Sequence, residues 1–274
     1  MRFEEFARVH GLIVRHLIPH RWVSTPTEDH PTKRNGRYKF LGDVGWVQNW
    51  ATMDRPEMWR SDVVRPAYIQ VRERADADRE RQEAASKAAS KAGWIMHQTK
   101  LGTHSYLDRK GFPDEEGNIW DRDGERLLVI PMRSAGKIVG CQLINSNGEK
   151  KFLYGQSTKG ASFLMDAKGI AVFCEGYATA LSIREAMKAI KVRYSIHVCF
   201  SAGNMKDVAR GIKGGFVVAD HDARGTGQRV ALEIEKPYWL GPTIGQDFND
   251  YWLQEGTFRA SQSLKKFLTA NSLT

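Results

Sequence analysis

Twice in the second half of this 274-residue sequence an apolar run ends on acid: IAVFC, residues 170–174, runs into Glu175, and FVVA, residues 216–219, runs into Asp220-His221-Asp222. Carboxylates crowded together repel and raise one another's pKa, so three at one place call for a divalent cation among them. All-oxygen ligation favours Mg²⁺ or Mn²⁺ over zinc. If extended geometry persists beyond Ala219, a period of two turns Asp220 and Asp222 to one side and His221 to the other. The competing reading is plainer: Asp220 or Asp222 caps the helix that begins in GTGQRVALEIE, and Glu175 is an ordinary solvated acid.

The elements that would position these acids can be read around them. IAVFCEG, HVCFSAG and GFVVADHD are short, nearly all-apolar runs separated by the helical stretches ATALSIREAMKAI and NMKDVARGI. Such runs mark strands buried on both faces by crossover helices, in a parallel sheet. Ligands of such sheets bind at the carboxyl ends of the strands, which puts Glu175 and Asp220 at one rim. Gly176 allows a sharp turn there, and the loop Ser201–Asn204 offers backbone that could approach a phosphate. Upstream, LLVIPM, KIVGCQLI and KKFLYG predict a three-strand meander carrying Arg133, Lys137, Lys150, Lys151 and Lys159. Within the first seventy residues, Pro26, Pro31 and Asn35-Gly36 mark turns between short antiparallel strands in RYKFLG and GWVQNW. Between these regions lies a helix of about thirty residues, mostly polar and ending at Gly93 or shortly beyond, which reads as a strut rather than a core helix.

Composition bounds the partners. With 41% hydrophobic residues and a mean hydropathy of -0.48 the chain reads as soluble and globular, and it lacks an apolar run long enough for a membrane span. Its opening residues carry acids and no cleavage-site pattern, so no secretory signal is expected and the cytoplasm is the expected location. Forty-one Lys and Arg against 32 Asp and Glu, a net +9, favour a polyanionic partner. Cys141, Cys174 and Cys199 are odd in number and widely spaced, so neither a disulfide nor a zinc site is expected. No GxxxxGK[ST] occurs, so a helicase motor would have to be a separate protein.

CEGYATALSI, FSAGNMKDVA and VVADHDARGTG together resemble the Toprim domain of bacterial-type primases, topoisomerases and some nucleases, in the version carried by phage and plasmid primases. The resemblance implies Glu175, Asp220 and Asp222 as the catalytic and metal-binding set; GQDFNDYWLQEG, similar to an acidic turn that follows in primases, adds Asp247 and Asp250 as metal ligands, with a helix cap as the alternative for Asp247. RLLVIPMRSAGKIVGCQLINSNGEKKFLYG resembles the basic strand subdomain that precedes Toprim in primases. It implies that Arg133 and Lys150 or Lys151 face nucleic acid, with Lys159 and Asn204 as further nucleic-acid or nucleotide contacts; THSYLDRKGF also resembles a segment common in such primases. RWVSTPTEDHPTKRNGRYKF resembles a primase zinc ribbon without any Cys. Its Lys33, Arg34, Arg37, Tyr38, Trp46 and Trp50 could form a stacking surface for bases or the core of a small β module.

The implied fold class is mixed, α+β with α/β: a Toprim parallel-sheet domain preceded by a basic strand-rich subdomain, a small β-rich N-terminal module and a long linking helix. The expected organisation is a β-rich module over 1–66, a helical linker over 67–100, the basic strand subdomain over 101–165, the Toprim catalytic domain over 166–256 and a C-terminal helix over 257–274. That helix, FRASQSLKKFLTA, could dock a partner or pack on its own domain. The implied activity is that of a DNA primase, joining ribonucleoside triphosphates on single-stranded DNA template with Mg²⁺ or Mn²⁺, beside a separate replicative helicase, in a bacterial cell or infected host. A Toprim nuclease using the same acids, or a non-catalytic nucleic-acid-binding accessory protein, are the alternatives.

Overall fold

The computed structural model describes residues 1–61, 67–223 and 225–273, and the chain divides into two compact units, 1–83 and 84–274. The expected module boundary at residue 66 lies outside the described residues. In the first unit, α1 (Phe3–Val9) is followed by an antiparallel sheet in the order β1 (Trp22–Thr25), β2 (Gly36–Phe40), β3 (Val44–Asn49), β4 (Glu57–Arg60). Strand alternation sorts its side chains. Tyr38, Val47 and Trp59 join Phe3, Ala7 and Leu12 in the core. Tyr38 is thus a core residue and not a stacking platform, its hydroxyl donating to the His16 carbonyl and accepting from the Ile18 N–H. On the other face Trp22 pairs across from Lys39, and Lys39 from Trp46. The Arg37 guanidinium lies 4.5 Å from the Trp22 ring centre and 6.0 Å from that of Trp50.

Helix α2 (Ala67–Gln98) passes through Gly93 and ends shortly beyond it. It is not a strut throughout: Ala88, Ala92 and Ile95 are buried against Trp120, Leu127, Val129, Cys141 and Leu153. These three lie at i, i+4 and i+7, a narrow apolar stripe that a polar average conceals.

The sheet they cover is antiparallel, in the order β5 (Lys100–Gly102), β6 (Gly117–Arg122), β7 (Glu125–Ser134), β8 (Lys137–Ile144), β9 (Lys150–Phe152), with α3 (Ser105–Arg109) between β5 and β6. The expected three-strand meander is β7 to β9. A third sheet runs β10 (Phe163–Asp166), β12 (Tyr194–Val198), β11 (Ile170–Cys174), β13 (Phe216–Ala219), β14 (Tyr238–Leu240), parallel except for β10. Its connections are α4 (Tyr177–Ala189), α5 (Ala202–Arg210) and α6 (Thr226–Ile234), and α7 (Phe248–Ala270) follows, broken at Gly256 where φ is 77°. The mixed α/β class with a parallel sheet is therefore as the sequence implied.

One core joins the two sheets of this unit: Ile119, Leu128, Ile130 and Ile144 pack with Val172, Ile196, Val218 and the buried side of α4. Arg184 clasps Glu115 through two hydrogen bonds of 2.8 and 2.6 Å, a bidentate pairing that fixes orientation as well as distance. Ala260, Leu264 and Leu268 of α7 belong to the same core, so the apolar stripe of FRASQSLKKFLTA packs on its own domain. All three cysteines are free and buried. Among the described residues no helix is long and apolar enough to cross a membrane.

Candidate active site

Strands β11 and β13 are parallel neighbours, Val172 level with Phe216 and Phe173 with Val217, so the residues that follow them emerge at the same rim. Glu175 and Asp220 meet there in a cavity of about 180 Å³, joined by Asp247, Lys150, Lys110 and Tyr106. Burial raises the Asp220 pKa to about 7, helped by the negative charges of Glu175 and Asp247 and opposed by Lys150. The Glu175 pKa is also raised, first by burial, against a hydrogen bond from the Ala202 N–H. That amide opens α5, whose cap is Ser201, accepting from Asn204 N–H. The Ser201–Asn204 segment thus gives its Ala202 N–H to Glu175.

The sequence-predicted residues part company here. Extended geometry stops at Ala219, and with it the reason for Asp222 to follow Asp220. The Asp222 carboxylate instead accepts from the N–H groups of Thr226 and Gly227 at 3.0 and 2.9 Å, so for this acid the helix-capping reading is the observed one. Gly227 lets the first turn of α6 press onto this corner: a Cβ there would lie 2.4 Å from the Asp220 carbonyl oxygen. Asp222 stays close enough for its charge to raise the pKa of Glu175 and Asp220.

Asp247 both lines the cavity and caps α7, accepting from the Asp250 N–H at 2.8 Å. Asp250 closes the capping box and lies 3.5 Å from the Lys110 ammonium, away from the cavity wall.

Of the predicted cations, only Lys150 enters this cavity. The residue is exposed on β9, and its ammonium lies 5.8 Å from the centre of the Tyr106 ring. Its pKa is lowered, chiefly by loss of water and then by Lys110, with the three acids pulling the other way. Lys151, one residue on, faces the opposite side of the sheet among Arg122, Glu125 and Glu149. Arg133 is exposed and donates to the Gly136 carbonyl at the tip of its own hairpin, and Lys159 is exposed.

Asn204 does not present its amide to a ligand. It is buried, its oxygen accepting from Gly160 N–H and its NH₂ donating to the carbonyls of Ala161 and Cys199. It ties the β9–β10 loop to the end of β12.

Lys110 and Tyr106 are two of the cavity residues that sequence reasoning missed. Their signal was the segment THSYLDRKGF, in which His104 caps α3 by accepting from Tyr106 N–H while its other ring nitrogen sits 3.0 Å from the Arg126 carbonyl. That double hold fixes the helix carrying both residues.

Among the described residues, no three His, Cys, Asp or Glu side chains are drawn together tightly enough to hold a metal ion. The donor chemistry nevertheless fits a hard divalent cation. Asp220 Oδ1 is buried without a hydrogen-bond partner, and it belongs to a carboxyl group whose ionisation is opposed by burial and by three further acids, Glu175, Asp247 and Asp222. A cation bonded to that oxygen would remove both costs.

Residues 170–257, about a third of the chain, match the family described as the Toprim domain, which bears out the resemblance drawn from that segment. The chain is 26% identical over 208 residues to DNA primase TraC of Escherichia coli, a match covering 72% of this chain and 14% of that protein. It thus spans about one seventh of that relative's length. Among solved structures it is similar to a chain in the complex of bacteriophage T7 lagging-strand DNA polymerase with primase domains of two gp4 subunits bound to an RNA/DNA hybrid and dTTP. That likeness is 16% in sequence with a TM-score of 0.44, over 60% of this chain and 91% of that one.

Proposed function

We propose that the chain is a DNA primase that joins ribonucleotides into short primers on single-stranded DNA, working beside a separate helicase. What carries this reading is the cavity in which Glu175, Asp220 and Asp247 face Lys150, inside a segment that matches the Toprim domain, in a chain similar to DNA primase TraC of Escherichia coli. Bound Mg²⁺ or Mn²⁺ would supply charge neutralisation at the attacking and leaving oxygens.

The protein's own residues have narrower roles. Asp220, with Glu175 and Asp247, would hold the cation. Lys150 and Lys110 would attract the phosphates, and Tyr106 would keep the Lys150 ammonium over the cavity. Asp222 would act indirectly, keeping the N-terminus of α6 against the Asp220 corner. Glu175, whose carboxylate accepts from the Ala202 N–H, would as an alternative to holding the cation take the proton from an attacking hydroxyl.

Incubation with single-stranded DNA, Mg²⁺ and labelled ribonucleoside triphosphates tests the proposal. Template-dependent RNA products that vanish in Asp220→Ala are expected. Cleavage of the DNA without nucleotide would make it a nuclease, and neither product would make it a binding protein.

A further inference from the structure

The cavity has a second kind of wall. Phe200, just past the end of β12, has φ of 67°, a left-handed conformation in which a Cβ crowds the backbone and which bulky residues rarely adopt. Its N–H donates to the Glu175 carbonyl at 2.9 Å, so this turn is joined directly to the acid's own strand end. Glycine would take such a turn without strain. The side chain that occupies it instead is half-buried and lines the cavity with Lys150 and Lys110.

Phe200 is not alone there. The Phe152 ring meets it edge to face, centroids 6.2 Å apart. Phe152 is two residues beyond Lys150 on β9 and pairs across from Gln142, itself a cavity residue, so it shares the face of the sheet that carries the lysine. It is 44% exposed. The opening is therefore lined by cations and acids and also by an aromatic corner, in which Phe200 is kept at a conformational cost. Strain retained at a cavity wall points to a ligand that needs the side chain.

We propose that Phe200, backed by Phe152, is the shelf on which the base of the incoming nucleoside triphosphate stacks, its phosphates lying toward Lys150 and Lys110. This rests on the nucleotidyl-transfer reading of the same cavity and adds where the base goes. Stacking accepts every base, since each has a π-face. It therefore suits a site in which pairing with the template, and not the pocket, selects the nucleotide.

Calorimetric titration of the full chain with ATP, with inorganic triphosphate and with a short oligodeoxynucleotide, each in Mg²⁺, separates the contributions. Phe200→Leu should weaken ATP roughly tenfold or more and leave inorganic triphosphate unchanged. Phe200→Gly, which suits the left-handed turn and so guards against misfolding, should do the same. Equal weakening of ATP and triphosphate would mean that Phe200 only holds the Glu175 strand end, unaltered ATP binding would place the base elsewhere, and a loss confined to the oligodeoxynucleotide would assign the shelf to template; each overturns the proposal. If the unsubstituted protein binds neither ATP nor triphosphate, the nucleotidyl-transfer reading itself fails. Primer synthesis by that protein together with full ATP affinity in Phe200→Leu would sink the shelf alone.

Discussion

Two antiparallel sheets in this chain carry basic side chains, and they use them differently. In the β1–β4 sheet one face packs on Phe3, Ala7 and Leu12, and the other lays Arg37 and Lys39 over Trp22, Trp46 and Trp50. The β5–β9 sheet is covered by the end of α2 on one side and by the shared core on the other. Its edge strand β9 sends Lys150 to the acid cavity and Lys151 to the far face. A cation on an open face can be paired by local aromatics or by solvent. A cation at the edge of a covered sheet is forced toward whatever charge its face meets. Position relative to the core, and not the density of lysine, separates a candidate catalytic cation from a surface one.

The largest effect that would test this contrast lies at the acids. Asp220→Ala and Glu175→Ala should each cut primer synthesis by roughly 10²–10³-fold or more, with circular dichroism unchanged, because both side chains border a cavity and not the core. Asp250→Asn, by contrast, should keep most activity, since that carboxylate serves α7 and Lys110. Activity surviving in Asp220→Ala would remove the catalytic reading of the whole rim.

Next in size is the division between the two faces of β9. Lys150→Ala should weaken binding of inorganic triphosphate by about 10–100-fold, the range for losing a hydrogen bond to a charged group. Lys151→Ala should change it less than about twofold, as for an exposed cation away from the site. Titrating both variants in parallel gives the answer as a ratio, and a ratio near one would show that the face of the strand does not matter.

How far these features could be read in the sequence depends on what fixes them. Strands β11, β12 and β13 were legible because burial on both faces writes itself as unbroken apolar runs, and Glu175 and Asp220 followed from where those runs stop. The expectation that Asp222 shares Asp220's side rested on extended chain continuing through residues 220–222, whereas β13 ends at Ala219; the Asp222 carboxylate caps α6 instead. The choice between Lys150 and Lys151 is a question of register. It is set by the turn in which Asn145 Oδ1 accepts from the N–H groups of Asn147 and Glu149, and a slip of one residue would exchange the two lysines. Asn204 reads from the sequence as a polar loop residue, the usual mark of a ligand contact, yet it sits in the first turn of α5 and backbone groups of three other residues claim its side chain. Phe200 gave no signal, since a left-handed φ at a non-glycine residue has no signature in composition.

A smaller effect, in pH, follows from the same rim. With a folded pKa of about 7 against an ordinary carboxyl value of 3.8, Asp220 is still protonated in the folded protein across a range where the unfolded chain has released its proton. The folded state therefore binds more protons between about pH 4 and 7, stability from this group falls as pH rises through that window, and the penalty is complete above it. In EDTA, Asp220→Asn should raise the melting temperature by several degrees at pH 8, on the scale of about 2–4 °C per kcal/mol for a domain of this size, and by much less at pH 4. Equal shifts at both pH values would mean that the carboxyl group ionises at no special cost.

The smallest effect concerns the first unit and tests which face of the β1–β4 sheet holds it together. Tyr38→Phe keeps the ring in the core but leaves the His16 carbonyl and the Ile18 N–H without their partner, a loss of about 1 kcal/mol. Hydrogen exchange of the β2 and β3 amides should then quicken by up to about fivefold. Trp22→Ala removes an exposed ring and its contact with Arg37, and exchange in the same strands should barely change, within about 0.5 kcal/mol. The opposite ranking would mean that the layer of tryptophans and cations is structural, which would leave it no role as a surface for bases. The expected ranking would leave Trp22, Arg37, Lys39 and Trp46 as side chains that the sheet holds but does not need for its stability.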